Sequence, residues 1–294
     1  MINKKIIINL LFYTFLFSFI FCSCEEENEG SDNPPVINKP PVTDSDEEVD
    51  INFSFDYRGK DTRSLLKCDS YTQSQKDSLN RALTEAISKA KSRRAKVVTA
   101  ATFLVSLDYA IPYGHEWIVA DDPSFEFVGR YTKKGLHLTE FTDDKGTVHK
   151  PWGCLINTHP RYPRETIKNL GDYYENGLHC SSFVGWCLLN GSAVTSVDLL
   201  DKTYANDYRI FPTTTEVSLK TGADLIRPGD LLWFQGHIAI VIGVKGDIVI
   251  YASAEGGSVY PGKGVSWLTF NKKTTNFDTF MYKSFIQMNK VYFD

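Results

Sequence analysis

The stretch from Arg227 to Ala254 limits the possible folds more than any other part of the chain. It reads as a turn at Arg227-Pro228-Gly229, an apolar run at 230–234, a tight turn at Gln235-Gly236, a long apolar run at 237–244 and another at 247–254. Strands this closely spaced belong to an antiparallel sheet, and 280–291 reads as one more strand of it. Just ahead, the Gly-bounded segment at 177–189 places Phe183, Val184, Cys187 and Leu188 on one side of a helix. A helix followed by an antiparallel sheet is an α+β arrangement.

Upstream, Leu79, Leu83, Ala86, Ile87 and Ala90 recur at helical spacing, with Ser74 as the expected N-cap. A second helix carries Val97, Val98, Ala101, Leu104 and Val105 and stops before Ile111-Pro112-Tyr113-Gly114. Residues 51–57 alternate apolar and polar as a half-buried strand does. Residues 121–176 are rich in Gly, Pro, Asp and Tyr, with short apolar runs such as Phe125-Glu126-Phe127-Val128, and read as a loop-rich insertion of hairpins and long loops.

The first fifty residues do not belong to this body. Lys4 and Lys5 precede an apolar run at 6–21, which is shorter than the roughly 20 residues a spanning helix needs. It reads as an export signal. The small Ser23 before Cys24 suits cleavage there, so residues 1–23 resemble a bacterial lipoprotein signal with Cys24 as the lipidated residue; ordinary secretion with cleavage nearby is the other reading. Residues 24–50 hold ten acids against one base, together with four prolines. That composition predicts an extended, disordered tether, either as a surface-export signal or merely as a solvated leash. Residues 51–294 carry 29 bases against 26 acids. So slight an excess suggests no nucleic-acid partner.

Two segments concentrate chemistry. Cys180 sits where the Gly-bounded loop meets the helical pattern. A thiol at a helix N-terminus feels the positive end of the dipole, and amides of the first turn can serve an oxyanion. His237 opens a strand after the tight turn, where an imidazole is held firmly enough to act as the base for a cysteine nucleophile.

Cys180-Ser181-Ser182-Phe183-Val184-Gly185-Trp186, with Pro228-Gly229-Asp230-Leu231 and His237-Ile238-Ala239-Ile240, resembles the signature of the NlpC/P60 family of papain-like cysteine peptidases. Ile111-Pro112-Tyr113-Gly114 is similar to the tyrosine-bearing element upstream of that family's nucleophile. The resemblance covers 177–255 firmly and extends upstream to about residue 95. It implies a papain-like catalytic domain over 51–294, acting without cofactor or metal, as a monomer, on amide bonds of peptidoglycan stem peptides of the D-glutamyl-diamino acid type. Cys180 becomes the nucleophile and His237 the general base, while Tyr113, His179 and Ser181 line the substrate site.

The third catalytic member departs from the pattern. Many members place a histidine where Tyr251 stands. Strand alternation puts Tyr251, Ser253 and Glu255 on one face, from which any of them could reach His237. A carboxylate best stabilises an imidazolium, which favours Glu255, with Tyr251 as the alternative by local match. Two further departures bear on the substrate. His179 replaces the family's Asp, which removes the negative charge that would hold a free N-terminal amine. Ser182 replaces Gly, which adds a side chain expected to narrow the cleft.

Tyr113, His115 and Trp117 are candidates to line a cleft or pack the domain edge. Cys68 and Cys154 could pair as a disulfide in an exported chain, and Cys187 reads as a core residue. His137, His149 and His159 have no metal-ligand spacing, which disfavours a zinc amidase. No phosphate-binding or dinucleotide fingerprint occurs. The expectation is a lipid-anchored wall peptidase on the periplasmic or cell-surface face of a bacterial membrane. A CHAP-type amidase and a non-catalytic binder of wall fragments remain as alternatives.

Overall fold

Thr72, rather than Ser74, opens the first helix, α1 (Gln73–Lys89). Its hydroxyl accepts from the Gln75 amide at 3.3 Å while the Gln75 side chain accepts from the Thr72 amide at 2.8 Å. Ser74 already lies within the first turn, and the reciprocal Thr-x-x-Gln box satisfies two amides that Ser74 could not reach together. The computed structural model describes residues 57, 59–114, 133–142, 146, 148–157, 173–194, 214–256 and 264–292, all within the unit Glu48–Asp294. The signal, the tether with Cys24, the expected strand at 51–57 apart from Tyr57, residues 115–132 with His115, Trp117 and the run Phe125-Glu126-Phe127-Val128, and His159 lie outside the described residues.

The second helix, α2 (Arg93–Val105), is capped by Ser92, which accepts from the Ala95 amide at 3.1 Å. Val97, Val98, Ala101, Leu104 and Val105 are buried as the spacing predicts, with Ala100 beside them. Two short antiparallel strand pairs follow, β1 (Phe141–Thr142) with β2 (Val148–His149) and β3 (Leu155–Asn157) with β4 (Tyr173–Glu175), in the region read as hairpins and loops. All eleven residues of α3 (Cys180–Asn190) are buried.

The large sheet contains β5 (Thr215–Ser218), β6 (Leu231–Phe234), β7 (His237–Lys245), β8 (Ile248–Glu255), β9 (Gly264–Asn271) and β10 (Ser284–Gln287). Its order is β5-β10-β6-β7-β8-β9, and every neighbouring pair is antiparallel. The sheet has two strands that the sequence reading lacks, β5 and β9. The expected strand at 280–291 is shorter: it spans only Ser284–Gln287 and gives way to a helical turn, α5 (Asn289–Tyr292). A short turn, α4 (Leu219–Gly222), follows β5.

Both faces of the central strands are buried. Ile238, Ile240, Ile242, Ile250, Ala252 and Ala254 join the core that α2 and α3 build. Ala239, Val241, Val249 and Tyr251 join a second core with Phe270, Tyr282 and Phe285. A strand covered on both sides reads as a continuous apolar run, which is the pattern of 237–244. The mixed α+β architecture is thus a sheet with helices α2 and α3 on one face.

The Pro-Gly-Asp turn before β6 ties helix to sheet. Asp230 is buried and accepts from Arg94 of α2 at 3.2 Å and from the amides of Met288 at 3.1 Å and Arg227 at 3.0 Å. Arg94 also donates to the Pro228 carbonyl at 2.6 Å and to Asn289 Oδ1 at 2.5 Å. Tyr292 donates to the Gly229 carbonyl at 2.7 Å. One buried carboxylate therefore fixes where α2, β6 and α5 meet, close to the turn that leads into His237.

Cys68 and Cys154 form a disulfide across 86 residues of sequence. It clamps the segment before α1 to the one before β3. The Asn176 amide then donates to the Cys154 carbonyl at 2.9 Å, and the Gly153 amide to the Asn176 carbonyl at 2.8 Å. The clamp thus continues through the chain that leads to Cys180.

Candidate active site

Cys180 is the first residue of α3, and His179 is its N-cap. The His179 Nδ1 accepts from the Ser182 amide at 3.3 Å, and the Ser181 Oγ lies 3.0 Å from the same nitrogen. The Ser182 Oγ accepts from the His179 amide at 2.8 Å and donates to the His179 carbonyl at 3.0 Å. The two departures from the resembled motif are thus each other's partners. His179 does the capping that an aspartate does elsewhere, and Ser182 closes the box. Its side chain turns back on the helix end and is buried, so it does not narrow a cleft as expected.

This cap fixes the state of His179. A backbone amide can only donate, so Nδ1 is the bare nitrogen and the ring proton resides on Nε2. The thiolate at Cys180 is favoured by both neighbouring imidazoles, His179 first and then His237, through hydrogen bonding and charge.

His237 opens β7, and its Nε2 faces β8. The Ser253 Oγ lies 3.0 Å away and the Glu255 Oε1 3.5 Å away. In the β7–β8 ladder Ile240 faces Ala252, and the same register brings His237 level with Glu255. With Nε2 turned to β8, Nδ1 is the nitrogen that serves Cys180. Burial alone drives the Cys180 thiol upward, but hydrogen bonds with His179 and His237 outweigh it and bring the thiol down to about 6. Burial disfavours a charged His237, yet Cys180 and Glu255 together hold its imidazolium up to about 9. The two groups share a thiolate–imidazolium pair.

Glu255 is 0% exposed, and among the described residues the group that its carboxylate faces at close range is His237. The two form an ion pair. Tyr251, the alternative third member, shares the face but packs instead against Phe270 and Tyr282, with ring centroids at 6.2 and 5.6 Å. Burial, reinforced by the Glu255 charge, pushes its hydroxyl upward, so it stays protonated. Ser253 is the residue that the sequence reading placed on the right face without singling it out. Alternation identified the face, but the register that brings Ser253 to Nε2 is not written in the pattern.

Tyr113 belongs to a strap beside the site. The Leu178 amide donates to the Pro112 carbonyl at 3.0 Å, and the Val265 amide to the Ile111 carbonyl at 2.7 Å. Arg63 braces the same corner by donating to the carbonyls of Leu104, Leu107 and Val265 at 3.0, 3.1 and 2.9 Å. The strap lies so close to the chain before Cys180 that a Cβ at Gly177 would stand 1.8 Å from the Pro112 oxygen. The Tyr113 ring lies against Gly256, the residue after Glu255, where a Cβ would meet ring carbons at 2.4 to 2.6 Å. Gly256→Ala is expected to cost about 1–3 kcal/mol by overpacking, read by thermal unfolding. Adding Tyr113→Ala in the same chain should recover most of the loss.

The remaining polar residues take structural places. Burial pushes the Cys187 thiol well up, as for a core thiol. The His137 Nε2 lies 3.2 Å from the Lys133 carbonyl, and the ring packs against Phe141 and Trp152. His149 stacks on Phe141. Among the described residues no group of three or more His, Cys, Asp or Glu side chains gathers as a metal site. Searches against protein-family models, curated proteins and solved structures found no match to this chain.

Proposed function

We propose that the protein is a papain-like cysteine peptidase of the NlpC/P60 type, exported and lipid-anchored through Cys24, that hydrolyses amide bonds in peptidoglycan stem peptides. The observation that carries this reading is the convergence of Cys180, His237 and Glu255 from α3, β7 and β8 into one buried constellation with a shared ion pair. The Cys68–Cys154 disulfide supports an oxidising, extracytoplasmic setting. Among the described residues no helix is long and apolar enough to cross a membrane, so the anchor in this reading is the lipid.

The Cys180 thiolate attacks the peptide carbonyl and forms an acyl-enzyme. His237 gives the proton from Nδ1 to the departing amine, then takes one from the water that releases the acid. In the first turn of α3 the Ser182 amide serves the cap and the Phe183 amide the His179 carbonyl. The Cys180 amide is the donor assigned to the oxyanion. Tyr113 and Ser181 line the substrate side.

His179 carries no carboxylate and offers no negative charge to a substrate ammonium. A free amine is therefore not a requirement, and stem peptides still attached to glycan are the expected substrates. The test incubates the enzyme with purified peptidoglycan, with intact muropeptides and with free tetrapeptide, and reads released fragments by mass. Preferential cleavage of the attached forms is expected. A strong preference for free tetrapeptide overturns the substrate reading, and fragment masses name the bond and separate an endopeptidase from an amidase.

A further inference from the structure

The Nε2 side of His237 is held by two groups of different kinds. The Ser253 Oγ stands at hydrogen-bond distance, 3.0 Å, whereas Glu255 stands at 3.5 Å, and among the described residues neither of its oxygens meets the geometry of a full hydrogen bond. Both side chains are fully buried. A hydrogen bond weakens steeply off its line and so fixes a direction, whereas an ion pair without one acts through charge and tolerates rotation of the ring.

The groups that face His237 come from three places. Cys180 comes from α3, Glu255 from β8 and Tyr282 from the segment before β10, with Tyr251 of β8 packed behind Tyr282. Burial holds the hydroxyls of Tyr282 and Tyr251 well above their usual range, so both stay protonated. Among these groups Glu255 is the anion on the Nε2 side. The Tyr282 ring packs on that of His237 at 5.9 Å and closes the flank without holding either nitrogen.

We propose that the two tasks usually joined in one third residue are divided in this protein: Ser253 is the positioning residue that aims the His237 ring, and Glu255 supplies the charge that sustains its imidazolium. The inference rests on the Cys180–His237 reading above. When Nδ1 takes the proton of Cys180, Nε2–H donates to the Ser253 Oγ and the ring charge faces Glu255. When Nδ1 gives that proton to a leaving group, the ring is neutral again and Nε2–H still donates to Ser253. Aim is thus preserved through both charge states.

The test uses two small probes, so it does not depend on the natural substrate. Alkylation of Cys180 by iodoacetate across pH reports the ion pair, because the anionic reagent needs the thiolate and is drawn in by the imidazolium. p-Nitrophenyl acetate acetylates Cys180 with loss of p-nitrophenolate. Water then releases acetate while its proton passes to the Nδ1 of His237, and the rate of that deacylation reports the aim of the ring. Ser253→Ala is expected to leave both limbs of the alkylation profile within about half a pH unit of the wild type and to slow deacylation about tenfold or more. Ser253→Thr, which keeps the hydroxyl, should restore most of the rate. Glu255→Gln should move the upper limb down by about one unit or more.

Deacylation at the wild-type rate in Ser253→Ala, or an upper limb displaced as far as in Glu255→Gln, overturns the proposal. A wild type without a thiolate limb overturns it together with the dyad. A dyad that behaves as expected in a protein that leaves peptidoglycan intact overturns the substrate reading alone.

Discussion

Cys180→Ala is expected to lower fragment release from purified peptidoglycan by about 10⁴-fold or more, the scale on which losing a covalent nucleophile acts. His237→Ala should come close to the same loss, and the double variant should add little, because the two groups act as one unit. The pH dependence carries the same information with its sign. The reactive thiolate–imidazolium form requires Cys180 to have lost its proton, above about 6, and His237 to retain one, below about 9. Peptide cleavage, and alkylation of Cys180 by the anionic iodoacetate that the imidazolium attracts, should therefore follow a bell between these limits. In His237→Ala the thiol loses one of the two imidazoles that hold it down, and burial then works against His179 alone. The lower limb should then move to alkaline pH, and alkylation near neutrality should fall steeply. A neutral-pH alkylation rate unchanged from the wild type would show that His237 does not govern the nucleophile.

Asp230→Ala is expected to be the most damaging single change to the fold, at about 3–5 kcal/mol. The substitution leaves the Arg94 guanidinium, whose side chain is 13% exposed, without its anion in a buried place. It also strips the amides of Met288 and Arg227 of their acceptor. For a domain of this size that loss corresponds to a fall of roughly 10 °C or more in the unfolding temperature. The Cys180 alkylation profile below the transition should keep its limbs, because Asp230 braces α2 against the sheet and touches neither member of the dyad. Calorimetry together with the alkylation profile separates this structural role from a catalytic one; a displaced limb with little loss of stability would contradict it.

Much of this fold was legible because its central elements are extreme cases of pattern. β7 is apolar on both faces, and α3 carries its nucleophile on a fully buried helix, so both stand out against any background. The two strands absent from the sequence reading were hidden for different reasons. Thr215-Glu216-Val217-Ser218 is a polar edge strand whose only apolar residue is Val217, and its pairing with β10 defines it. β9 does alternate, at Val265 and Trp267, but Leu268 beside Trp267 breaks the period, and its pairing with β8 is a tertiary fact. The site shows the same boundary. The sequence places Tyr251, Ser253 and Glu255 on one face; the ladder then brings Ser253 and Glu255 to the imidazole and turns Tyr251 into an aromatic core. The bond between His179 and Ser182 was illegible because each looked like an isolated departure, and only the helix cap joins them.

The order of the cysteines along the chain has a consequence for how the protein matures. In the proposed reading, with export from the N-terminus and Cys24 taken by lipid, Cys68 and Cys154 emerge ahead of Cys180 and Cys187. An oxidase that joins successive thiols as they emerge makes the native Cys68–Cys154 bond before the nucleophile has left the membrane. Cys180 then arrives with no thiol left unpaired ahead of it, and its burial in α3 withdraws it from exchange. On that reading, vectorial export alone would yield an oxidised scaffold around a reduced Cys180, with no need for an isomerase to sort the pairs.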